Sequence, residues 1–490
     1  MDEPAGDQCR LCLEGEADGP LVQPCACRGT AKYIHKHCLE KWRRKSPRVD
    51  AAYRCGQCMD EYRDALSLEL LGARLQANRT TFSVQLFATE LHAQGKFAEA
   101  MPLLREVMEA KRATLGCWHP DTLTSINNLS MLLKATGDLA AAEPMQREVL
   151  EATRSTLGDR HPSTLSSINN LSLLLKAKGD LAAAEPLQRE ALEGLRETLG
   201  SRHPNTLTSI NNLSQMLQDK GDLAAAEPLL REALEVKRET LGSRHPSTLI
   251  SINNLGTLFY TKGDLAAAGP LYHEALEVER ETLGNRHPST LASISHLGVL
   301  LKDKGDLAAA ELLHREALEV SRSALGNRNP STLCSVNNLG RLLQAKGDLA
   351  AAEPLLREAV RVQRETLGNR HPSTLASINN LGVLLKAKGD LAAAEPLLRE
   401  ALEMDRETLG NRHPSTLRSI SSLGVLLQAK GDLTAAEPLF REALEARRAT
   451  LGNRDPDTLC SVNNLGGLLQ AKGDLAAAEL LWCCAARRWR

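Results

Sequence analysis

Lys388-Gly389-Asp390-Leu391-Ala392-Ala393-Ala394-Glu395-Pro396-Leu397-Leu398-Arg399-Glu400-Ala401-Leu402 decides how this chain is read, because near copies of it lie on both sides. Its glycine belongs to the series Gly95, Gly137, Gly179, Gly221, Gly263, Gly305, Gly347, Gly389, Gly431 and Gly473, each 42 residues from the next, and all but Gly95 are followed by Asp. A second series, from Gly116 to Gly452, runs between them. A fixed period of this length marks a repeat architecture. Two glycines per period predict two helices per period, because glycine accepts the left-handed conformation that closes a helix.

The copies serve as a substitution experiment within one chain. After the Pro of each His-Pro step stands Asp121, Ser163, Asn205, Ser247 or a counterpart, all short side chains able to cap a helix. The expected first helix runs from about Thr164 to Lys178, and the second, capped by Asp180, from about Leu181 to Glu197. Leu165, Ile168, Leu171 and Leu175 recur at helical spacing and predict the core stripe, while Ala184 and Ala191 are small enough for a neighbouring helix to come close. Pro186 and its counterparts break the local rule for a helix interior, yet Leu312 and Leu480 occupy the same slot, so the slot reads as helical. Paired helices and this phrase resemble the tetratricopeptide repeat in the longer form found in kinesin light chains, over roughly residues 80–490. The resemblance implies an α-solenoid of about ten units, each burying its apolar face only against its neighbours. The fold class is therefore mainly α.

Composition narrows the function. The 490 residues are 42% apolar and only 3% aromatic, a poor recipe for one large globule. Net charge is −1, with no basic excess for nucleic acid, so a protein-binding molecule is expected. No run of about 18 apolar residues predicts a membrane span, Met1 to Gln8 lacks a signal-like core, and a cytoplasmic protein is expected.

Chemistry concentrates in the first sixty residues. Cys9, Cys12, Cys25, Cys27, His35, Cys38, Cys55 and Cys58 are eight ligand-type residues, enough for two tetrahedral zinc sites. Each Cys-x-x-Cys pair can chelate one ion, and a segment this small needs metal to supply what its core cannot. His37 rivals His35 for the imidazole position. The order of four cysteines, one histidine and three cysteines suits both PHD fingers and RING-CH domains. The single residue between Cys25 and Cys27, the seven before His35, and Trp42 four places after Cys38 resemble RING-CH, whereas a PHD finger usually has Trp where this chain has Tyr53.

That resemblance, over Cys9 to Tyr62, implies a cross-brace in which Cys9, Cys12, His35 and Cys38 hold one zinc and Cys25, Cys27, Cys55 and Cys58 the other. It also implies a ubiquitin ligase that docks a ubiquitin-conjugating enzyme through Leu11 and Trp42, with no catalytic residue of its own. Gly56-Gln57, in place of a Pro-containing link, and Met59, where a basic residue is common, depart from the RING pattern. The basic run Lys41 to Lys45 reads as a solvated helix face or a contact for an acidic partner, and the repeated His before Pro as loop spacing or capping.

The expected organisation is a zinc finger at 1–64, a linker at 65–79 and the superhelix at 80–490. Asn127-Asn128, Asn169-Asn170, Asn211-Asn212, Asn253-Asn254, Asn337-Asn338 and Asn379-Asn380 lie inside first helices, at roughly 0.6 kcal/mol per Asn relative to Ala. In resembling solenoids such residues line a groove that holds an extended peptide. Two functions are open: a ligase whose repeats hold a protein substrate, or a non-catalytic zinc-stabilised adaptor that carries protein cargo.

Overall fold

The computed structural model describes residues 8–9, 11–12, 21–22, 33–46, 65–93, 96–453 and 455–487. Strands β1 (Leu21–Val22) and β2 (Ile34–His35) pair antiparallel, with Leu21 opposite His35. Helices follow: α1 (Lys36–Lys45), α2 (Ala65–Ala77), α3 (Thr81–Ala93), α4 (Phe97–Leu115), and then first and second helices in alternation from α5 (Pro120–Ala135) to α22 (Leu475–Arg487). The chain divides into two compact units, Met1–Leu132 and Leu133–Arg490.

Residues 65–79, expected to be a linker, carry α2. The reason is its leucines: Leu70 and Leu71 pack on Leu86 and Phe87 of α3, and Leu75 joins Val84 and Val107.

A typical repeat consists of α7 (Pro162–Ala177) and α8 (Leu181–Leu199). The first helix begins two residues earlier than expected. His161 is its cap, with Nδ1 accepting the Ser163 amide proton at 3.1 Å, and Pro162 takes the first helical position. Proline suits that place, since its missing N–H would have had no partner there. Asp180 caps the second helix as read, accepting from the Ala183 amide at 3.1 Å. Leu165, Ile168, Leu171 and Leu175 lie in the core, and Ala184 and Ala191 are wholly buried. Pro186 sits inside a continuous second helix, on its exposed side, where water can take the carbonyl its ring leaves free.

Within each unit the two helices meet through a small residue facing a large one. A Cβ built on Gly298 would lie 2.7 Å from the His314 ring, on Gly340 2.7 Å from Leu356, and on Gly424 2.6 Å from Phe440. In an earlier unit Ser172 replaces the glycine and donates to Gln188, which occupies the large position.

Between units, charges recur with the period. Arg196–Glu232, Arg238–Glu274 and Arg280–Glu316 close at 2.7, 2.8 and 2.7 Å, and a second file ties Lys178 to Glu143 and Lys220 to Glu185 at 2.7 and 2.6 Å. Pairs this exposed contribute at most about 1 kcal/mol each.

Residues 133–490 curve far enough that one turn of the solenoid touches the next. The Gly137 turn lies against Arg370, His371 and Pro372, the Gly179 turn against His413, and the Gly221 turn against Leu451 and Asp455. The contacts Gly137–His371, Gly179–His413 and Gly221–Asp455 each span 234 residues. At Gly263 and Gly305 nothing lies within 4 Å of an added Cβ.

Gly179 and Gly305 both have positive φ, +83° and +88°. Gly305→Ala should cost only the left-handed backbone, about 1–2 kcal/mol. Gly179→Ala adds a Cβ 2.8 Å from His413 Cδ2 and should cost clearly more in urea denaturation. Equal losses would show that the turns do not touch in solution.

His413 also predicts a pH dependence. Its pKa is held down to about 4 from an ordinary 6.5, first by burial and then by Arg418, with the Ala177 backbone pulling the other way. A depressed histidine loses nothing above the unfolded value, so the closed contact should weaken only as pH falls from 6.5 toward about 4. Hydrogen exchange at the Gly179 turn, corrected for its intrinsic rate, should show this, and His413→Asn should abolish it.

Candidate metal centre and binding face

The β1–β2 pair sets His35 at the end of a strand, where it also precedes α1, and Cys38 follows in the first turn of that helix. Spacing of three residues at a helix start puts both side chains on one side. Opposite them, the turn at Cys9 to Cys12 brings two sulfurs in: Cys12 Sγ lies 3.2 Å from His35 Nδ1, and the His35 amide donates to Cys9 Sγ at 3.3 Å. The ligand atoms of Cys9, Cys12, His35 and Cys38 all lie within 4.8 Å of one another. This is the set that the cross-brace implies for its first ion.

His37 stacks on His35 at 5.2 Å between ring centres and comes within 3.2 Å of Cys38 Sγ, but it is exposed and outside the four-atom group. Cys25, Cys27, Cys55 and Cys58, together with Gly56, Gln57 and Met59, lie outside the described residues.

The donor set fits zinc. Three sulfurs and an imidazole make a closed structural site, and a tetrahedron of about 2.3 Å bonds needs its ligand atoms roughly 4 Å apart. The thiols alone are at odds with one another. Burial pushes Cys9 up, but the amides of His35, Cys12 and Leu11 outweigh it and bring the group down to about 6. Cys38 is pushed up to about 12 by burial and by the Cys12 and Cys9 sulfurs beside it. A divalent cation removes the conflict by holding every sulfur as thiolate.

Leu11 is 46% exposed, and Trp42 is half-buried one turn beyond Cys38. With Cys12, Cys38, Lys41, Lys45 and Ser46 they line one depression of about 460 Å³. The two residues named for docking therefore share a surface, directly over the metal cluster. The basic run divides: Lys41, Arg44 and Lys45 are exposed, whereas Arg43 is 1% exposed and donates to Ser67 Oγ of α2 at 2.8 Å. Arg44 reinforces the join by pairing with Glu69. The sequence left the run as a solvated helix face or a contact for an acidic partner; at Arg43 it is instead a buried contact with α2.

The asparagine pairs divide as well. Asn253 is buried and donates to Ser293 Oγ of the next unit at 2.7 Å, and Asn337 donates to Ser377 Oγ at 2.7 Å. Asn379 is buried, the Asn211 oxygen is buried, and Asn169 accepts from Gln188 and Asn212. The second members Asn170, Asn212, Asn254, Asn338 and Asn380 are half-exposed on first helices, as are Asn127 and Asn128. Joints between units therefore use first members at Asn253 and Asn337, and a second member at Asn212, which donates to Asn169 of the unit before.

Comparison with known proteins agrees with both parts. Successive matches to the tetratricopeptide repeat model run from residue 81 to 323 and from 331 to 488. The chain belongs to the tetratricopeptide repeat family. Residues 9–58 match the RING-variant domain, which together with the Cys/His cluster identifies a zinc-binding module. The N-terminal part is similar to the ERAD-associated E3 ubiquitin-protein ligase DOA10 of Saccharomyces cerevisiae, 54% identical over 43 residues, 8% of this chain and 3% of that protein. It is also similar to the human E3 ubiquitin-protein ligase MARCHF2, 41% identical over 63 residues, 13% of this chain and 24% of that one. The chain thus spans under a quarter of these relatives' length. The repeats resemble the crystal structure of nearly identical TPR-like repeats from a Podosopora anserina kinesin light chain candidate, at 31% identity over 42% of this chain and 98% of that one, with a TM-score of 0.36. Among the described residues no helix is long and apolar enough to cross a membrane.

The metal centre predicts a sharp contrast between adjacent histidines. In the full-length chain, His35→Ala should lower bound zinc by one ion, measured by elemental analysis, whereas His37→Ala should leave the content unchanged. Loss on His37→Ala would move the fourth ligand.

Proposed function

We propose that this chain is a cytoplasmic ubiquitin-protein ligase in which the RING-variant head binds two zinc ions and recruits a ubiquitin-conjugating enzyme, while the first-helix face of the repeats holds a protein substrate. The observation that carries it is the joint placement of Leu11 and Trp42 over the Cys9, Cys12, His35 and Cys38 cluster. Small interfaces rely on a buried aromatic anchor, and a half-buried Trp beside an exposed Leu supplies one. No covalent residue is required of the ligase. The substrate lysine amine attacks the thioester carbonyl, the enzyme's thiolate leaves, an isopeptide bond forms and the amine releases a proton. The ligase contributes proximity and orientation.

Orientation gives Arg43 a role. Its bond to Ser67 and the Arg44–Glu69 pair fasten the helix that carries Trp42 to α2, so the head is held on α2 as well as through the intervening chain. The second reading, an adaptor without ligase activity, is favoured by the departures at Gly56-Gln57 and Met59.

Ubiquitin transfer by the full chain against a panel of conjugating enzymes decides between them. Trp42→Ala should retain its zinc and lose affinity for the conjugating enzyme by roughly thirtyfold, the yield of about 2 kcal/mol. Arg43→Ala should retain zinc and free ubiquitin-chain synthesis while reducing transfer to a bound substrate. Absence of transfer by the native chain with every enzyme would establish the adaptor.

A further inference from the structure

Contacts between turns of the solenoid fix how many units complete a circle. The end of α5 meets the start of α17 (Pro372–Ala387), α7 meets α19 (Pro414–Ala429), and α9 (Pro204–Asp219) meets α21 (Pro456–Ala471). The His371 ring donates to the Ala135 backbone and the His413 ring to that of Ala177, so first helices stand end on end. Because α5 and α17 begin at Pro120 and Pro372, 252 residues or six periods apart, six units complete one turn.

First helices lie on the inside of that circle. Successive first helices touch one another from α7 to α21, whereas successive second helices make no comparable approach among the described residues. One recess is lined at once by Lys176, Gln215, Asn254 and His296, which belong to four successive first helices. Only a sharply curved row brings four helices to one point. Six helices in a ring, about 8–10 Å apart, place their axes about 8–10 Å from the centre. A helix with its side chains is about 10–12 Å thick, which leaves a bore under about 10 Å.

Cys334 reports the same enclosure. It stands on α15 (Pro330–Lys346), four residues before Asn338, whose side-chain nitrogen lies 3.9 Å from its sulfur. Cys334 is exposed to water, yet burial pushes its thiol up, with Arg341 pulling the other way. A bore produces both effects, since a molecule the size of water enters while protein surrounds the sulfur.

We propose that the first helices of residues 133–490 form a closed six-helix ring, and that the substrate held there is an extended, unfolded polypeptide end entering along the axis. The proposal rests on the reading of the first-helix face as the substrate surface. Stacked turns close the side of the ring at Gly137, Gly179 and Gly221, so a chain cannot be laid in laterally there. At Gly263 and Gly305 no atom of the described residues lies over the turn, which leaves that end of the ring open. A helix, at about 10–12 Å, does not pass. A single strand with a backbone about 5 Å thick does. First helices of 16 residues are about 24 Å long and shelter about seven of its residues. Half-exposed amides at Asn170, Asn254, Asn338 and Asn380 offer the donors and acceptors that a peptide backbone can meet.

The test uses the full chain with zinc bound. It is treated first with a long polyethylene glycol maleimide and then with iodoacetamide, and peptide mass mapping reads which thiols the polymer missed. Cys117, exposed in the loop after α4, should be consumed by the polymer, whereas Cys334 should remain for iodoacetamide. Consumption of both, or a Cys334 that neither reagent reaches, overturns the ring and leaves the substrate surface standing. Random decapeptides are then offered to the untreated chain as linear molecules and as head-to-tail rings, which are two strands wide. Linear members should be retained about tenfold over rings and should slow iodoacetamide at Cys334 and not at Cys117. Equal retention of rings overturns end-first entry. Retention that leaves Cys334 as reactive as before, or no retention of either form, overturns the substrate surface and the proposal with it.

Discussion

The array depends on how closely the two helices of a unit can approach. Wherever the first helix carries Gly256, Gly298, Gly340, Gly382, Gly424 or Gly466, the second helix sends a larger side chain into that point: Tyr272, His314, Leu356, Leu398, Phe440 or Trp482. A methyl group on the glycine would overlap each of them. The fit holds for rings and aliphatic chains alike because what the first helix supplies is absence of volume. Serine is also accepted in the glycine slot: Ser172 donates to Gln188, and Ser214 stands in the unit whose large position is Leu230, both buried. Cores tolerate such exchange when volume is kept. One local constraint, copied at every period, thus fixes the angle between helices, and the curvature of the solenoid accumulates from it.

The joints between units are less uniform than the units themselves. One position of the second helix is Lys237, Glu279, Asp405 or Arg447 in different units, buried each time and each time facing a serine of the next unit: Ser251, Ser293, Ser419 or Ser461. Serine cannot neutralise a charge. Burial accordingly pushes Glu279 and Asp405 up from their ordinary values. The ion pairs on the outside add little in exchange, because water screens them. Stability along residues 133–490 therefore comes from repeated apolar burial, while particular joints are weakened by what they enclose.

Much of this was legible in the sequence, for reasons of range. The period, the Asp180 cap and the buried Ala184 and Ala191 follow from local chemistry seen many times over in one chain. The ligand spacing around His35 also survives, because a turn and a helix start place four atoms with few degrees of freedom. What escaped notice depends on distant neighbours. Arg43 reads as a surface residue until α2 lies beside it. Asn253 and Asn337 read as groove lining until a serine of the next unit accepts from each of them. The contact of His413 with the Gly179 turn, 234 residues away, is a property of summed curvature and has no local signature.

The same distinction bears on why a zinc module and a solenoid occupy one chain. A RING-variant head fixes a surface at atomic precision because metal holds its few residues in place. A solenoid offers a long face that varies unit by unit, through single exchanges such as Asn to His296 that leave the fold alone. Joining them usefully requires that orientation pass from one to the other, and a loose tether would spread the head over many positions. The buried Arg43–Ser67 bond lies where that freedom would be lost, between the helix bearing Trp42 and the helix that packs on α3. A buried guanidinium is held by directional bonds, so it fixes the angle of the helix that carries it more firmly than an exposed ion pair does. The bond therefore sets how the helix bearing Trp42 lies on α2, which is the join through which any orientation of the head must pass.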